Sequence, residues 1–518
     1  MKSITTILKR QFKFLILPCV LVSFFSCEGN LENVTYGSFT SSSFFKTAGD
    51  AKAGVSAMYT GMMENSPWSG WGESQNSFRA HNELTTDEMN CIWWPQFQQL
   101  IYTPDDGSTT AHYTALMPII SEITVYISKI NEINMDIATK QEYIGELYAL
   151  RAYYTQMLFQ FYGPVPIRTD PTQVDNPNAP VLHRPTHDEM IAQILQDYSA
   201  AIAALPNTFT GPNYGRLSKA ACLAFRMKLY MQEHRWTDAI ADGETIKAMG
   251  IFNLTPKYAD NFNNNNKGGN SEIIFAIVCV PTTTGEFTNI WLAHALPSDY
   301  VDTTGVALTK WGGFRMPWKT YDKFDQSDKR LSVLLQRYPV GRNAISGKVE
   351  WRDARTGLYY NGSVLDNTRT STPDQTGAVM VKFGVDPSKT SSEYSGVDYP
   401  IMRYANVELM LAEAINNANS GPTQEAYSLI NEIRTRAGLP NTTATDMASF
   451  QIAIQNECLF ELWAEGERRD DLIRWGLYIQ RAINDGYTKV DDHLILFPLP
   501  RAVVTQSNGV IKQNPGYN

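Results

Sequence analysis

Leu147, Leu150, Tyr154, Met157, Leu158 and Phe161 fall three or four residues apart, the spacing that lines up one face of an α-helix. They close a helical pattern that runs over residues 113–161. A stripe that long must be buried against other helices. Gly163-Pro164-Val165-Pro166 stops the pattern, because proline cannot supply the next helical amide. The same period begins near Asp50 and returns over residues 186–204, 217–232 and 236–249, where Thr186 and Glu189 make a capping-box start. It comes back over residues 402–417, 423–437 and 449–482. The fold class expected is mainly α, built from helical hairpins.

Residues 220–246 resemble a tetratricopeptide unit, with Ala220, Ala224, Leu229, Tyr230, Trp236 and Ala239 where small and large side chains interlock. Such hairpins bury their apolar face only by stacking, so several are expected. Between residues 261 and 400 the character changes. Residues 263–269 (NNNNKGG) read as a loop and 272–280 as a buried strand, and little periodicity follows up to Tyr399. This part is expected to be loop-rich and laid over the helical frame. The length alone suggests three or four domains, but no Pro/Ser/Gly-rich linker divides the body, so one large unit is expected.

The front end carries Lys2, Lys9, Arg10 and Lys13, then an apolar run over residues 14–25 that is too short to span a membrane, then Ser26 and Cys27. This layout resembles a bacterial lipobox. It implies a lipoprotein signal peptide over residues 1–26, lipidation of Cys27 with more than one acyl chain, and a Ser/Thr/Gly-rich tether over residues 27–49. Removing residues 1–26 takes away four basic residues and no acidic ones, moving the formal net charge from −9 to −13. An acidic exported body is a poor nucleic-acid binder. Cys91, Cys222, Cys279 and Cys458 are too scattered for a disulfide framework or a zinc site and are expected in the core.

Several blocks share one resemblance: Leu150-Arg151-Ala152-Tyr153-Tyr154 through Pro166, Arg403-Tyr404-Ala405-Asn406 through Ala414, and Ile430-Asn431-Glu432-Ile433-Arg434 through Leu439. Glu465-Gly466-Glu467-Arg468-Arg469-Asp470-Asp471 through Gly476, then Phe497-Pro498-Leu499-Pro500 and Gln513-Asn514-Pro515-Gly516-Tyr517, complete the set. In this order they resemble the SusD-like (SusD/RagB) family of outer-membrane nutrient-binding lipoproteins. The resemblance implies tetratricopeptide-like hairpins packed with an irregular half. It divides the body into a helical part at 50–260, an irregular part at 261–400, and helices with an extended tail at 401–518. It implies a cell-surface protein, lipid-anchored in the outer membrane, that binds oligosaccharides and delivers them to a SusC-like TonB-dependent transporter. No cofactor and no catalytic residue are implied.

The residues themselves offer little enzymatic chemistry. No Walker loop, Gly-x-Ser-x-Gly elbow or His-Glu-x-x-His pair occurs, and His183 and His187 are separated by Pro185, so no metal is expected. Glu457, Glu461 and Glu465 beside Arg468, Arg469, Asp470, Asp471 and Arg474 read as structural ion pairs. A sugar site calls for exposed aromatic faces flanked by hydrogen-bonding side chains. Two stretches have that mixture. The first, residues 68–99, holds Trp68, Trp71, Arg79, Asn82, Asn90, Trp93, Trp94 and Gln96. The second, residues 286–321, holds Trp291, His294, Asp299, Tyr300, Trp311, Arg315 and Trp318, of which Trp318 is expected to be buried. Arg79, Asn90, Trp93, Trp94, Trp291, Tyr300 and Trp311 are the ligand-binding candidates. A peptide-binding RagB-like uptake lipoprotein, a surface glycoside hydrolase with two carboxylates across a sugar, and a structural tetratricopeptide scaffold are the alternatives.

Overall fold

Capping fixes where the helices begin. The first, α1 (Ala48–Met58), starts on Thr47, whose hydroxyl accepts from the Asp50 amide while the Asp50 carboxylate answers the Thr47 amide. The structure is a computed structural model and describes residues 44–62, 71–281, 287–389 and 391–517. Cys27, the signal peptide, most of the tether and Trp68 lie outside the described residues.

The pattern over residues 113–161 resolves into two helices, α2 (Gly107–Glu132) and α3 (Ile137–Tyr162). Asp136 makes the break, its carboxylate accepting from the Thr139 amide at 2.8 Å. Next come α4 (His187–Ala204), capped by the Thr186 and Glu189 box, α5 (Lys219–Gln232) and α6 (Trp236–Ala248). After the irregular part follow α7 (Tyr404–Ala418), α8 (Gln424–Arg436), α9 (Met447–Leu462) and α10 (Arg468–Arg474). The last expected helix, over residues 449–482, is thus interrupted after Leu462, where Ala464 and Gly466 take positive φ.

Each helix from α2 to α6 packs on the next, α6 packs on α7, and α7 packs on both α8 and α9. The stack therefore continues across the irregular part. Small residues let the backbones approach: a Cβ on Gly145 of α3 would meet the Ala204 Cβ of α4 at 2.7 Å. In α5, Ala220, Ala221 and Ala224 are fully buried. Cys91, Cys222, Cys279 and Cys458 are all buried and free. Among the described residues no helix is long and apolar enough to cross a membrane.

The region between α6 and α7 is not merely loops. Three antiparallel sheets stand there, one of them joined by a strand from between α1 and α2. The strands are β1 (Asn90–Cys91), β2 (Ile273–Ile277), β3 (Phe314–Met316), β4 (Leu334–Leu335), β5 (Arg337–Arg342), β6 (Val349–Asp353), β7 (Leu358–Asn361), β8 (Val364–Thr370), β9 (Ala378–Met380) and β10 (Tyr399–Arg403). They are ordered β1-β3-β9-β4, β10-β2 and β5-β6-β7-β8. The first sheet matters most here, because it brings residues 90–91 beside residues 314–315.

Irregular part and C-terminal helices are joined by buried charge. Arg403 on β10 reaches Glu272, Glu461 and Glu465, and Arg330 reaches Asp328, Glu457 and Glu461, with all these side chains at most 2% exposed. Lys382 lies 2.7 Å from Glu465 and Arg436 lies 2.8 Å from Glu272. Burial alone would raise the Glu461 carboxyl, but Arg436, Arg403 and Arg330 outweigh it and hold it well below the usual carboxylate range. The acidic and basic side chains near the C-terminus are therefore structural ion pairs.

Candidate functional site

Residues 311–313 are fastened on both sides by backbone hydrogen bonds. The Trp311 and Gly313 amides donate to the Ala293 and His294 carbonyls at 2.7 and 2.6 Å, while the Gly313 carbonyl accepts from Ile92 at 3.4 Å. Cys91 pairs with Phe314 across the strands. Two stretches some two hundred residues apart in sequence are thus drawn into one ladder.

The ladder gathers aromatic rings around His294. Its imidazole stacks on Phe314 (4.9 Å between centroids, 16° between planes) and meets Trp311 edge-on at 4.8 Å and 90°. Trp93 and Trp94 lie 5.7 and 6.1 Å from the same ring and 5.9 Å from each other. Edge-on and tilted contacts are the geometry aromatic quadrupoles favour. Gly313 makes the approach possible, since a Cβ there would stand 2.3 Å from Cζ3 of Trp93. Trp93 remains 40% exposed and Trp311 37% exposed, with Trp94 half-buried between them. Ile92 and Ile101 extend the exposed apolar surface. Burial lowers the His294 imidazole to about 4, so the centre of the cluster is uncharged at neutral pH.

Of the seven candidates from sequence, Trp93, Trp94 and Trp311 are brought together. Trp291 packs behind them, 5.3 Å from Phe314, with Arg79 over its ring, but both are buried, and their reading as ligand-binding residues is corrected. Trp291 is fully buried and its indole N–H donates to the Met380 carbonyl at 2.7 Å. Arg79 is 1% exposed; it donates to the carbonyls of Trp71 and Ala464 and lies over the Tyr399 ring at 4.5 Å. Both are held by buried hydrogen bonds to backbone carbonyls, which leave neither side chain open to a ligand. Tyr300 is half-buried and stacks on Tyr338, in a small core with Ala354 and Val379. The amide of Asn90 donates to the Thr376 carbonyl at 2.8 Å and accepts from Gln98. Trp318 is half-buried rather than buried, its N–H donating to the Asp374 carbonyl.

Two residues that hold the cluster, Gly313 and Phe314, escape a reading that looks for ligand-facing side chains. The signal was the double glycine after Trp311, which marks a close approach.

A cavity of about 520 Å³ lies elsewhere, between α1, α3, residues 212–216 and β2. Its charges answer one another: Arg216 reaches Glu142 and Glu146, and the Tyr59 hydroxyl donates to Glu146 at 2.7 Å. The aromatic cluster is the better candidate for sugar rings, because two of its tryptophans keep more than a third of their surface exposed.

Comparison with known proteins agrees with this architecture. A family model described as "SusD family" matches residues 232–517, more than half of the chain, and one described as "Starch-binding associating with outer membrane" matches residues 40–231. The chain is 24% identical to the SusD-like protein P25 of Formosa agariphila, over 98% of each chain. It is 23% identical to the starch-binding protein SusD of Bacteroides thetaiotaomicron, over 99% of this chain and all of that one. A surface glycan-binding protein A from Bacteroides thetaiotaomicron, solved in complex with laminarihexaose, shares the fold with a TM-score of 0.71 at 18% identity, covering 90% of this chain and all of that one. The chain belongs to the SusD family.

Proposed function

We propose that this chain is a cell-surface lipoprotein that captures oligosaccharides on Trp93, Trp94 and Trp311 and delivers them to a SusC-like TonB-dependent transporter in the outer membrane. The observation that carries the reading is a set of three tryptophans gathered round one buried, uncharged imidazole, two of them more than a third exposed. Sugar rings present apolar C–H faces to such surfaces and hydroxyl edges to the polar groups around them. Relatives named for starch binding and a structural neighbour holding laminarihexaose support a glucan or related glycan as ligand. Acylation of Cys27 would keep the body beside its transporter. The role is binding rather than catalysis.

Calorimetry against laminarihexaose and maltooligosaccharides, preceded by a glycan array, tests the reading. Trp93→Ala and Trp311→Ala are each expected to weaken saccharide binding about 30-fold, as loss of a central aromatic contact does. Circular dichroism should not change. Wild-type affinity in the double variant would sink the assignment of the patch. Binding to peptides alone would move the ligand to the RagB-like class, and new reducing ends would indicate a hydrolase.

A further inference from the structure

We infer that the cavity between α1 and α3 is a second saccharide site, one that takes a short neutral sugar or the end of a chain. It goes beyond the tryptophan patch and does not depend on it. Its volume of about 520 Å³ falls within the range of roughly 300–1,000 Å³ that small-molecule sites occupy. The patch is an open surface, whereas this site is concave.

Sequence spacing builds the walls. Lys52, Val55 and Ser56 on α1, and Tyr59 directly after it, recur at three or four residues, so one helix face lines the cavity. Glu142 and Glu146 stand one turn apart on α3 and line the opposite side, with Tyr143 beside them. The floor is apolar: Val55, Met62, and Phe275 and Ile277 of β2 are at most 4% exposed. Gly215 lets the remaining wall come close to the strand, since its φ is +90° and a Cβ there would stand 2.5 Å from Cγ2 of Val278. The Leu217 amide donates to the Tyr59 hydroxyl at 2.9 Å and ties that wall to α1.

The polar end is a clamp of carboxylates and one guanidinium. Arg216 donates through Nε to Glu146 and through Nη2 to Glu142, each at 2.8 Å, and the Tyr59 hydroxyl donates to Glu146 at 2.7 Å. Nη1 of Arg216 and Oε2 of Glu142 have no partner among the described residues, and these two side chains are 20% and 32% exposed. A guanidinium only donates and a carboxylate only accepts. Held side by side, they offer neighbouring sugar hydroxyls an acceptor and a donor at once. The hydroxyls of Tyr143 and Ser56, also without a partner among the described residues, add to these.

Tyr143, Tyr214 and Phe287 line the same cavity half-buried, and their rings supply apolar faces for the C–H side of a sugar. The charges cancel, with Lys52 and Arg216 against Glu142 and Glu146, so the cavity favours neither an anion nor a cation. A ligand rich in hydroxyls and without charge fits that combination.

Calorimetry on the full chain with laminarihexaose, maltohexaose and their disaccharides, guided by a glycan array, tests the inference. Two binding events are expected in the wild type. Ser56→Trp, at an exposed helix position on the cavity wall, should fill the space, leave the melting temperature unchanged and remove one event. Trp93→Ala combined with Trp311→Ala should weaken the other event and spare the first. Tyr143→Phe should weaken the cavity event about fivefold, as loss of one hydrogen bond does, and salt should not move it. A single event that is lost in the double tryptophan variant and intact in Ser56→Trp would overturn the cavity and leave the patch standing. A single event with the opposite response would overturn the patch and leave the cavity. A cavity event confined to charged saccharides or to peptides would overturn the neutral sugar, and binding of no saccharide at all overturns both sites.

Discussion

Gly313 shows how much of the patch depends on an atom that is not there. Its backbone is not in the left-handed region, so alanine suits the chain conformation, yet the added Cβ would stand 2.3 Å from Trp93. Gly313→Ala is therefore expected to push the Trp93 ring off its seat and weaken saccharide binding about tenfold, with little change in melting temperature. A shift in tryptophan fluorescence should accompany it, and unaltered affinity would show that Trp93 binds from another position. At this scale the sequence was half readable. Trp93 and Trp94 beside Pro95 could not both enter a core, and one is 40% exposed. Trp291 and Arg79 sat in equally promising company and are buried. What decides their fate lies far along the chain: Arg79 donates to Ala464, and Trp291 to Met380.

The hairpin α7–α8 sets Glu408 in apolar surroundings with Glu432 and Glu272 nearby. Burial first, then those two carboxylates, push its carboxyl up to about 9. A folded-state value above the unfolded one means that the folded form holds a proton which the unfolded chain has released. Stability from this group is full at low pH and is lost as pH rises from about 4.5 towards 9. Thermal melts of Glu408→Gln against wild type should show the difference moving in favour of glutamine between pH 5 and pH 9. A difference that stays flat with pH would mean that Glu408 is ionised in the fold. Helices such as this pair were legible because their stripes repeat over many turns. The sheet β5-β6-β7-β8 was not. Strand β8 is almost wholly exposed and β6 and β7 are half-buried at nearly every position, so neither alternates between buried and exposed as strand reading requires.

Across the whole molecule, the buried ion network joins parts that sequence order keeps apart. Glu461 alone answers Arg330, Arg403 and Arg436. Glu461→Gln is expected to cost roughly 3–5 kcal/mol in urea unfolding, because three guanidiniums lose a shared buried partner. A loss of only about 0.5 kcal/mol, the size of a surface change, would show that they re-pair among Glu272, Glu457 and Glu465. The helical spacing of these acids was visible in sequence; their partners, up to 131 residues away in the case of Glu461 and Arg330, were not. The tryptophan patch takes no part in this network. Trp93, Trp94 and Trp311 belong to none of α1–α10, and they hang on the frame by main-chain bonds and by ring contacts with His294 and Phe314. The patch can therefore change without a change in the frame. Exchanges in the turns that bear the rings can reshape the patch while the helices and their buried charges stay as they are. Relatives at 23 and 24% identity match this chain over nearly its whole length, frame and turns together.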